Sequence, residues 1–278
     1  MSAESVIHDI GYQRYEGPRL GRGYAARSLY VHGLRTAFGL GRSAKAKIFP
    51  WTVIGLVGAI ALILAVAKSQ GEQISYQDLP QTVSVLALVF LAVVAPELVS
   101  RDLRNHLLPL YFSRPIHRAD YALAKLGSLV SAVWLMMAGA QTLIFAAGAF
   151  GPGDVLDELA GLLKGYAVAG FYAVIFSSLS ILIASVASRR AFAAGAIAAV
   201  FLVTLSVAGV LTELGEDPVS YLAPLGSPIM LPEGVREWVF KTGEVDVGQF
   251  GAVYGAAGVL LPTIFVLLLL LRYRRVAL

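Results

Sequence analysis

GYAVAGFYAVIFSSLSILIASVASRRAFAAGAIAAVFLVTLSVAGVLT, residues 165–212, carries only two charged side chains, Arg189 and Arg190, set side by side. They separate the uncharged runs Gly165–Ala187 and Ala191–Thr212, of 23 and 22 residues. A helix crossing the roughly 30 Å hydrocarbon core of a bilayer needs about 20 mostly apolar residues. A Lys, Arg or Asp at the centre of such a helix costs about 2.5–3.5 kcal/mol on insertion scales. Both runs therefore read as membrane spans, and the short link Ser188-Arg189-Arg190 makes them a tight antiparallel hairpin. Downstream, Gly248–Leu271 is a third uncharged run. Upstream lie Trp51–Ala67 between Lys47 and Lys68, Pro80–Val99 with Glu97 near its end, and Tyr121–Phe150, whose apolar part begins after Lys125. Composition agrees: 57% of the 278 residues are hydrophobic and 14% charged, against about 25% charged in soluble domains. The expected fold is an all-α integral membrane protein. Six transmembrane helices, near 51–67, 80–99, 121–150, 165–187, 191–212 and 248–271, make up a domain over 50–278 behind a segment over 1–49.

The Lys and Arg distribution sets the expected orientation. Met1–Phe49 holds eight, the segment after the second span five, the link after the fourth span two, and the C-terminus three. Only Lys68, Lys164, Arg236 and Lys241 remain for the other side. The positive-inside rule then places both termini in the cytoplasm, in a multi-pass inner (plasma) membrane protein. Met1–Phe49 is polar and basic, with no early apolar stretch, and is not expected to be a signal peptide.

Between the spans, Arg22–Ile48 reads as an amphipathic helix on the inner membrane surface. Arg27, Arg35, Arg42 and Lys45 share one sector of a helical wheel, opposite Ala26, Leu29, Tyr30, Leu34 and Ala37. Glu213–Val247 is acidic and holds Pro218, Pro224, Pro228 and Pro232. Its apolar pieces are too short to cross, so short external helices, interfacial or re-entrant, are expected between spans five and six. Gly251-x-x-x-Gly255 opens the last span and allows close helix packing. The cytoplasmic stretch Glu97–Lys125 mixes charges with Leu103, Leu107, Leu108, Leu110, Tyr111 and Phe112, the pattern of a docking surface for a protein.

Several chemistries have no residues to carry them. The absence of cysteine removes disulfides and thiol catalysis, and His8, His32, His106 and His117 lack metal-ligand spacing. No Gly-x-x-x-x-Gly-Lys-Ser/Thr occurs, so ATP cannot bind through a P-loop of this chain. Mid-span charges are missing, which argues against an ion-coupled carrier or an intramembrane enzyme. No feature points to nucleic acid. Gln141, Ser177 and Ser178 are the polar groups within spans that a transport pathway would use.

Three features of that cytoplasmic stretch stand in a recognisable order. Glu97 sits at the inner end of span two, Ser113-Arg114-Pro115 makes a turn, and Lys125 opens span three. In this the chain resembles ABC-2 type permeases, the membrane subunits of one large class of ABC transporters. Gly11–Arg22 (GYQRYEGPRLGR) also looks like permeases of this class from bacterial operons. The resemblance implies a permease driven by a separate ATPase that holds ATP and Mg, so no cofactor belongs to this chain and it is not itself an enzyme. Two such ATPase subunits would dock on a coupling helix over 101–113 between spans two and three. Contacts are expected at Arg101, Asp102, Leu103, Leu107 and Leu108, with Glu97 and Arg114 bracing the ends. A second permease, identical or homologous, would complete the pathway, and the uncharged spans favour export of an apolar or amphipathic molecule. The rival reading is a membrane scaffold or signalling partner that transports nothing.

Overall fold

The computed structural model describes residues 17, 20–105, 107–113, 115–149, 154–187 and 189–275. Among them the secondary structure is helical throughout, with no strand. In chain order the helices are α1 (Arg22–Ala37), α2 (Ala44–Ser69), α3 (Leu79–Thr82), α4 (Ser84–Leu98), α5 (Ser100–Arg104) and α6 (Leu108–Phe112). They continue as α7 (Arg118–Ala149), α8 (Val155–Val186), α9 (Arg190–Leu214), α10 (Val219–Leu222), α11 (Met230–Phe240) and α12 (Gly251–Arg274). Six are long and apolar enough to cross a membrane: α2, α4 with its continuation α5, α7, α8, α9 and α12. The protein is thus an all-helical, multi-pass membrane protein.

The helices outrun the uncharged stretches that announce them. α2 starts at Ala44 rather than Trp51, giving the shortest run a helix of 26 residues that contains Lys45 and Lys47. Long basic side chains reach water from the end of a span, so they do not stop the helix. α8 starts ten residues before Gly165: Asp154 accepts a hydrogen bond from the Leu156 amide (2.9 Å), and Asp157 and Glu158 lie in the first turn. Carboxylates there complement the free amides and dipole of a helix start. α7 and α8, at 32 residues each, are about 48 Å long, well beyond the hydrocarbon thickness. The second span, by contrast, begins at Ser84, after the separate turn of α3.

α1 is shorter than expected, ending at Ala37 rather than near Ile48. Gly39 and Gly41 have φ of +67° and +76°, and the chain reverses through them into α2. A Cβ on Gly39 would lie 2.5 Å from the Ala46 carbonyl oxygen, so the reversal depends on a glycine there. The apolar side of α1 packs on the chain's own α7. Leu29, Gly33 and Ala37 are buried, Tyr30 Oη donates to Ser131 Oγ at 2.8 Å, and Arg22 grips Asp120 at 2.6 and 2.7 Å. Arg27 and Arg35 stay exposed.

α4 and α8 form the interior. Ala87, Phe90, Leu91, Ala95, Tyr172, Phe176 and Ile181 are buried, and Phe176 meets Phe201 of α9 edge to face at 5.1 Å. α9 and α12 are peripheral and expose Val203, Val207, Val210, Ile264, Leu267 and Leu268, an apolar surface suited to hydrocarbon.

The bundle has two distinct ends. At one, termed the basic end, α1, α5 and α6 gather around the starts of α2, α7 and α9 and the ends of α4, α8 and α12. At the other, α3, α10 and α11 form a cap. Arg236 of α11 is buried there, donating to Gln77 O (2.7 Å) and pairing with Asp78 (2.8 Å) and Glu233 (2.7 Å). Glu233 also accepts from Tyr172 of α8. The cap explains Gly251-x-x-x-Gly255. The indole of Trp238 on α11 lies across both glycines, leaving no room for a Cβ at either.

Candidate functional site at the basic end

Residues 101–113, expected as one coupling helix, fall in two short helices. α5 ends at Arg104, and α6 begins with Leu108, Pro109 occupying its first turn. Proline lacks the amide that would continue a helix from upstream. Arg114 and His106 lie outside the described residues, as does most of the Gly11–Arg22 stretch.

One side chain fixes the segment to the bundle. Asp102 points inward and pairs with Lys125 of α7 at 2.8 Å, the two side chains being 9% and 4% exposed. Tyr121 Oη donates to the same carboxylate at 2.8 Å, and Lys125 Nζ also donates to Leu98 O at 2.9 Å. Lys125 therefore ties the last carbonyl of α4 to α5 from a position on α7. Ser100 Oγ donates to Ala184 O of α8 at 2.8 Å, adding a fourth helix. Around this lock Tyr121 stacks with Tyr111 (5.4 Å), Phe112 (6.1 Å) and Tyr273 of α12 (5.2 Å). A buried pair of this kind costs several kcal/mol if one member is removed, because the other is left charged and unpartnered.

The remaining contacts expected from sequence divide between surface and interior. Arg101 is exposed, and Leu103 and Leu107 are half-buried. Leu108 is buried, and the neighbouring Leu110 is the most exposed apolar side chain of the segment, at 66%. The accessible edge thus comprises Arg101, Leu103, Arg104, Leu107 and Leu110, with Asp102 and Leu108 beneath it.

Glu97 does more than end a span. Its Oε1 accepts from Arg42 (2.6 Å) and Arg101 (3.1 Å), and its Oε2 meets Arg190 (2.8 Å). One carboxylate, 11% exposed, thereby joins the approach to α2, the end of α4, α5 and the start of α9. Sequence reading brought out Glu97 and Arg101 but not Arg42 or Arg190 as their partners. The available signal was the uneven arithmetic of that end, where most of the 22 basic residues face very few acids.

The intramembrane polar residues are enclosed. Gln141 and Ser177 are fully buried and Ser178 nearly so. Gln141 Nε2 donates to Tyr76 O (2.8 Å) and Gly165 O (3.0 Å), stapling the α2–α3 connection to α7 and α8. Ser178 Oγ donates back to Ile175 O at 3.0 Å, and Ser177 Oγ is without a hydrogen-bond partner. None of the three lines the cavities at α1, at α2 or at the Glu97 cluster.

Electrostatics differ at the two ends. At the cap, burial raises the carboxyls of Glu233 and Asp78 above their ordinary values, against the opposing pull of Arg236. On α1, partial burial and then the charge of Lys125 lower His32 below its ordinary value. No cluster of His, Cys, Asp or Glu able to hold a metal occurs among the described residues. No protein-family model matches the chain, and no curated protein matches it.

Proposed function

We propose that this chain is the membrane-spanning permease subunit of an ATP-driven ABC transporter, with a separate ATPase docking on the segment 101–113. The observation that carries the reading is the Asp102–Lys125 lock beneath an exposed, mixed apolar and basic edge. A surface meant to receive force needs rigid attachment to the helices that must move. Here the attachment reaches α4 through Leu98 O, α7 through Lys125 and Tyr121, and α8 through Ser100. A push on Arg101, Leu103, Leu107 or Leu110 is thereby delivered to three spans together, and Asp102 serves as brace rather than contact.

In this reading two ATPase subunits bind ATP and Mg, and two permeases, identical or homologous, line the pathway between them. The basic end is cytoplasmic, both termini included, and the membrane is the inner (plasma) membrane. Enclosure of Gln141, Ser177 and Ser178 within one chain favours a pathway between chains over one through a single bundle. The uncharged surfaces of α9 and α12 favour an apolar or amphipathic cargo leaving the cell.

The test is co-purification with any P-loop ATPase encoded by a neighbouring gene, followed by ATP hydrolysis with and without this chain. Arg101→Glu and Leu110→Asp, both on the exposed edge, are expected to release the ATPase while leaving the purified permease folded. Undiminished ATPase binding by both variants would remove the docking assignment. Failure of the wild-type chain to bind any such ATPase or alter its hydrolysis would favour the scaffold reading.

A further inference from the structure

We infer that the arginine cluster around Glu97 is a binding site for a phosphate group at the membrane boundary. Arg42, Arg101, Arg104 and Arg190 line a cavity of about 210 Å³ with Glu97 and Ser100. Water occupies about 30 Å³ per molecule in the liquid, so the cavity holds more than a bridging water. Four guanidinium groups face a single carboxylate, and guanidinium does not lose its proton in proteins. The cavity therefore carries an excess of three positive charges that no change of pH relieves. Glu97 offers about four lone-pair sites against about twenty guanidinium N–H donors, so most donors need other acceptors. Arg104 has no ion-pair partner among the described residues.

The surroundings select the ligand. Arg190 is the first residue of α9 and Arg42 lies two residues before α2, and neither helix start has a side-chain cap. Two long helices thus direct the positive ends of their dipoles to the same region. The planar fork of arginine fits the oxygens of a phosphate in pairs. Both helices are apolar spans, so the cluster sits where hydrocarbon gives way to water, the level of lipid phosphates. A phosphodiester headgroup of an anionic lipid, or a soluble phosphate entering from the aqueous side, has the required chemistry. The inference does not depend on the transporter reading, because it concerns ligand binding to the chain alone.

The test is thermal unfolding of the purified full-length chain in a neutral detergent, with phosphatidylglycerol titrated in one arm, phosphatidylcholine in a second and inorganic phosphate in a third. Arg104→Gln is the main variant, since Arg104 does not hold Glu97, and Arg190→Gln is the second. Arg275→Gln, an exposed arginine just past α12 at the same end of the bundle, is the control. The unfolding midpoint without lipid verifies that each variant folds. Phosphatidylglycerol is expected to raise the wild-type midpoint, and Arg104→Gln to weaken its half-saturation by roughly tenfold, the worth of one charged hydrogen bond. Arg275→Gln is expected to match the wild type, and phosphatidylcholine to act far more weakly. A response confined to phosphatidylglycerol identifies the lipid headgroup as the source. An equivalent response to inorganic phosphate, lost in Arg104→Gln, identifies a soluble phosphate. Equal losses in Arg104→Gln and Arg275→Gln would reduce the site to general basic attraction and overturn it. A wild-type midpoint that responds to neither phosphatidylglycerol nor inorganic phosphate would overturn it too.

Discussion

Replacing Lys125 with methionine keeps an unbranched side chain one atom shorter and removes its charge. Asp102 would then be a carboxylate 9% exposed with only the Tyr121 hydroxyl facing it, and Leu98 O would lose its donor. Removing one member of a buried pair costs about 3–5 kcal/mol. The second substitution of a double-mutant cycle, Asp102→Asn, removes the orphaned charge while its amide oxygen can still accept from Tyr121. Replacement of a buried pair by neutral groups of similar volume is often close to neutral. Lys125→Met alone is therefore expected to lose about 3–5 kcal/mol, and the double variant to recover about 2 kcal/mol or more of it. The assay is reversible unfolding in mixed micelles titrated with a denaturing detergent, on the wild type, both singles and the double. Losses that simply add would mean that Asp102 and Lys125 do not act on each other, and the lock would then be a crossing of independent contacts. The same four proteins, assayed for ATPase binding, separate brace from contact. If Asp102 is a brace, the double variant binds nearly as well as the wild type.

Three further expectations rest on other parts of the fold. Gly39→Ala meets both a left-handed φ and the Ala46 carbonyl, whereas Gly41→Ala meets only the former, having open space around it. Gly41→Ala should cost about 1 kcal/mol and Gly39→Ala distinctly more in thermal unfolding, and equal losses would contradict the close approach. Gly255→Val should displace the Trp238 indole and cost about 1–3 kcal/mol, a penalty that vanishes in a Trp238→Ala background if the indole is the obstacle. Burial raises the Glu233 carboxyl, so the folded chain keeps that proton to higher pH than the unfolded chain. Its contribution to stability is full below the ordinary carboxylate value and is lost as pH rises through the raised one. Midpoints measured from about pH 4 to about pH 8 should fall less steeply in Glu233→Gln than in the wild type, and an unchanged slope would place the titration elsewhere.

Six spans were legible because the bilayer's demand is local: about 20 apolar residues in a row, whatever they pack against. Their ends were not, and the reason differs by helix. At Lys45 and Lys47 a charge count stops the run, yet a lysine stem continues a helix without difficulty. At Asp157 and Glu158 the acids look like a loop, yet at the start of α8 they are the residues a helix favours. Residues 97–125 stood out by composition, but composition has no direction. Asp102 and Arg101 are neighbours in sequence, and only the position of Lys125, more than six helical turns along the chain and on another helix, turns one inward and leaves the other exposed. Likewise no periodicity connects Arg42, Glu97 and Arg190, which the bundle brings within 2.8 Å contacts.

Trp238 bears on whether the glycines of α12 can seat a second helix. Small residues four apart on a span are a familiar adhesive between membrane helices, because they let two backbones approach. On α12 that groove is already filled by an indole from the same polypeptide. A second copy arriving at Gly251 and Gly255 would find the seat taken, so two chains that did pair would have to meet on another surface. Exposed apolar side chains on α2 (Leu56, Leu62, Ile63), α9 (Val203, Val207) and α12 (Leu267) remain free for such a contact.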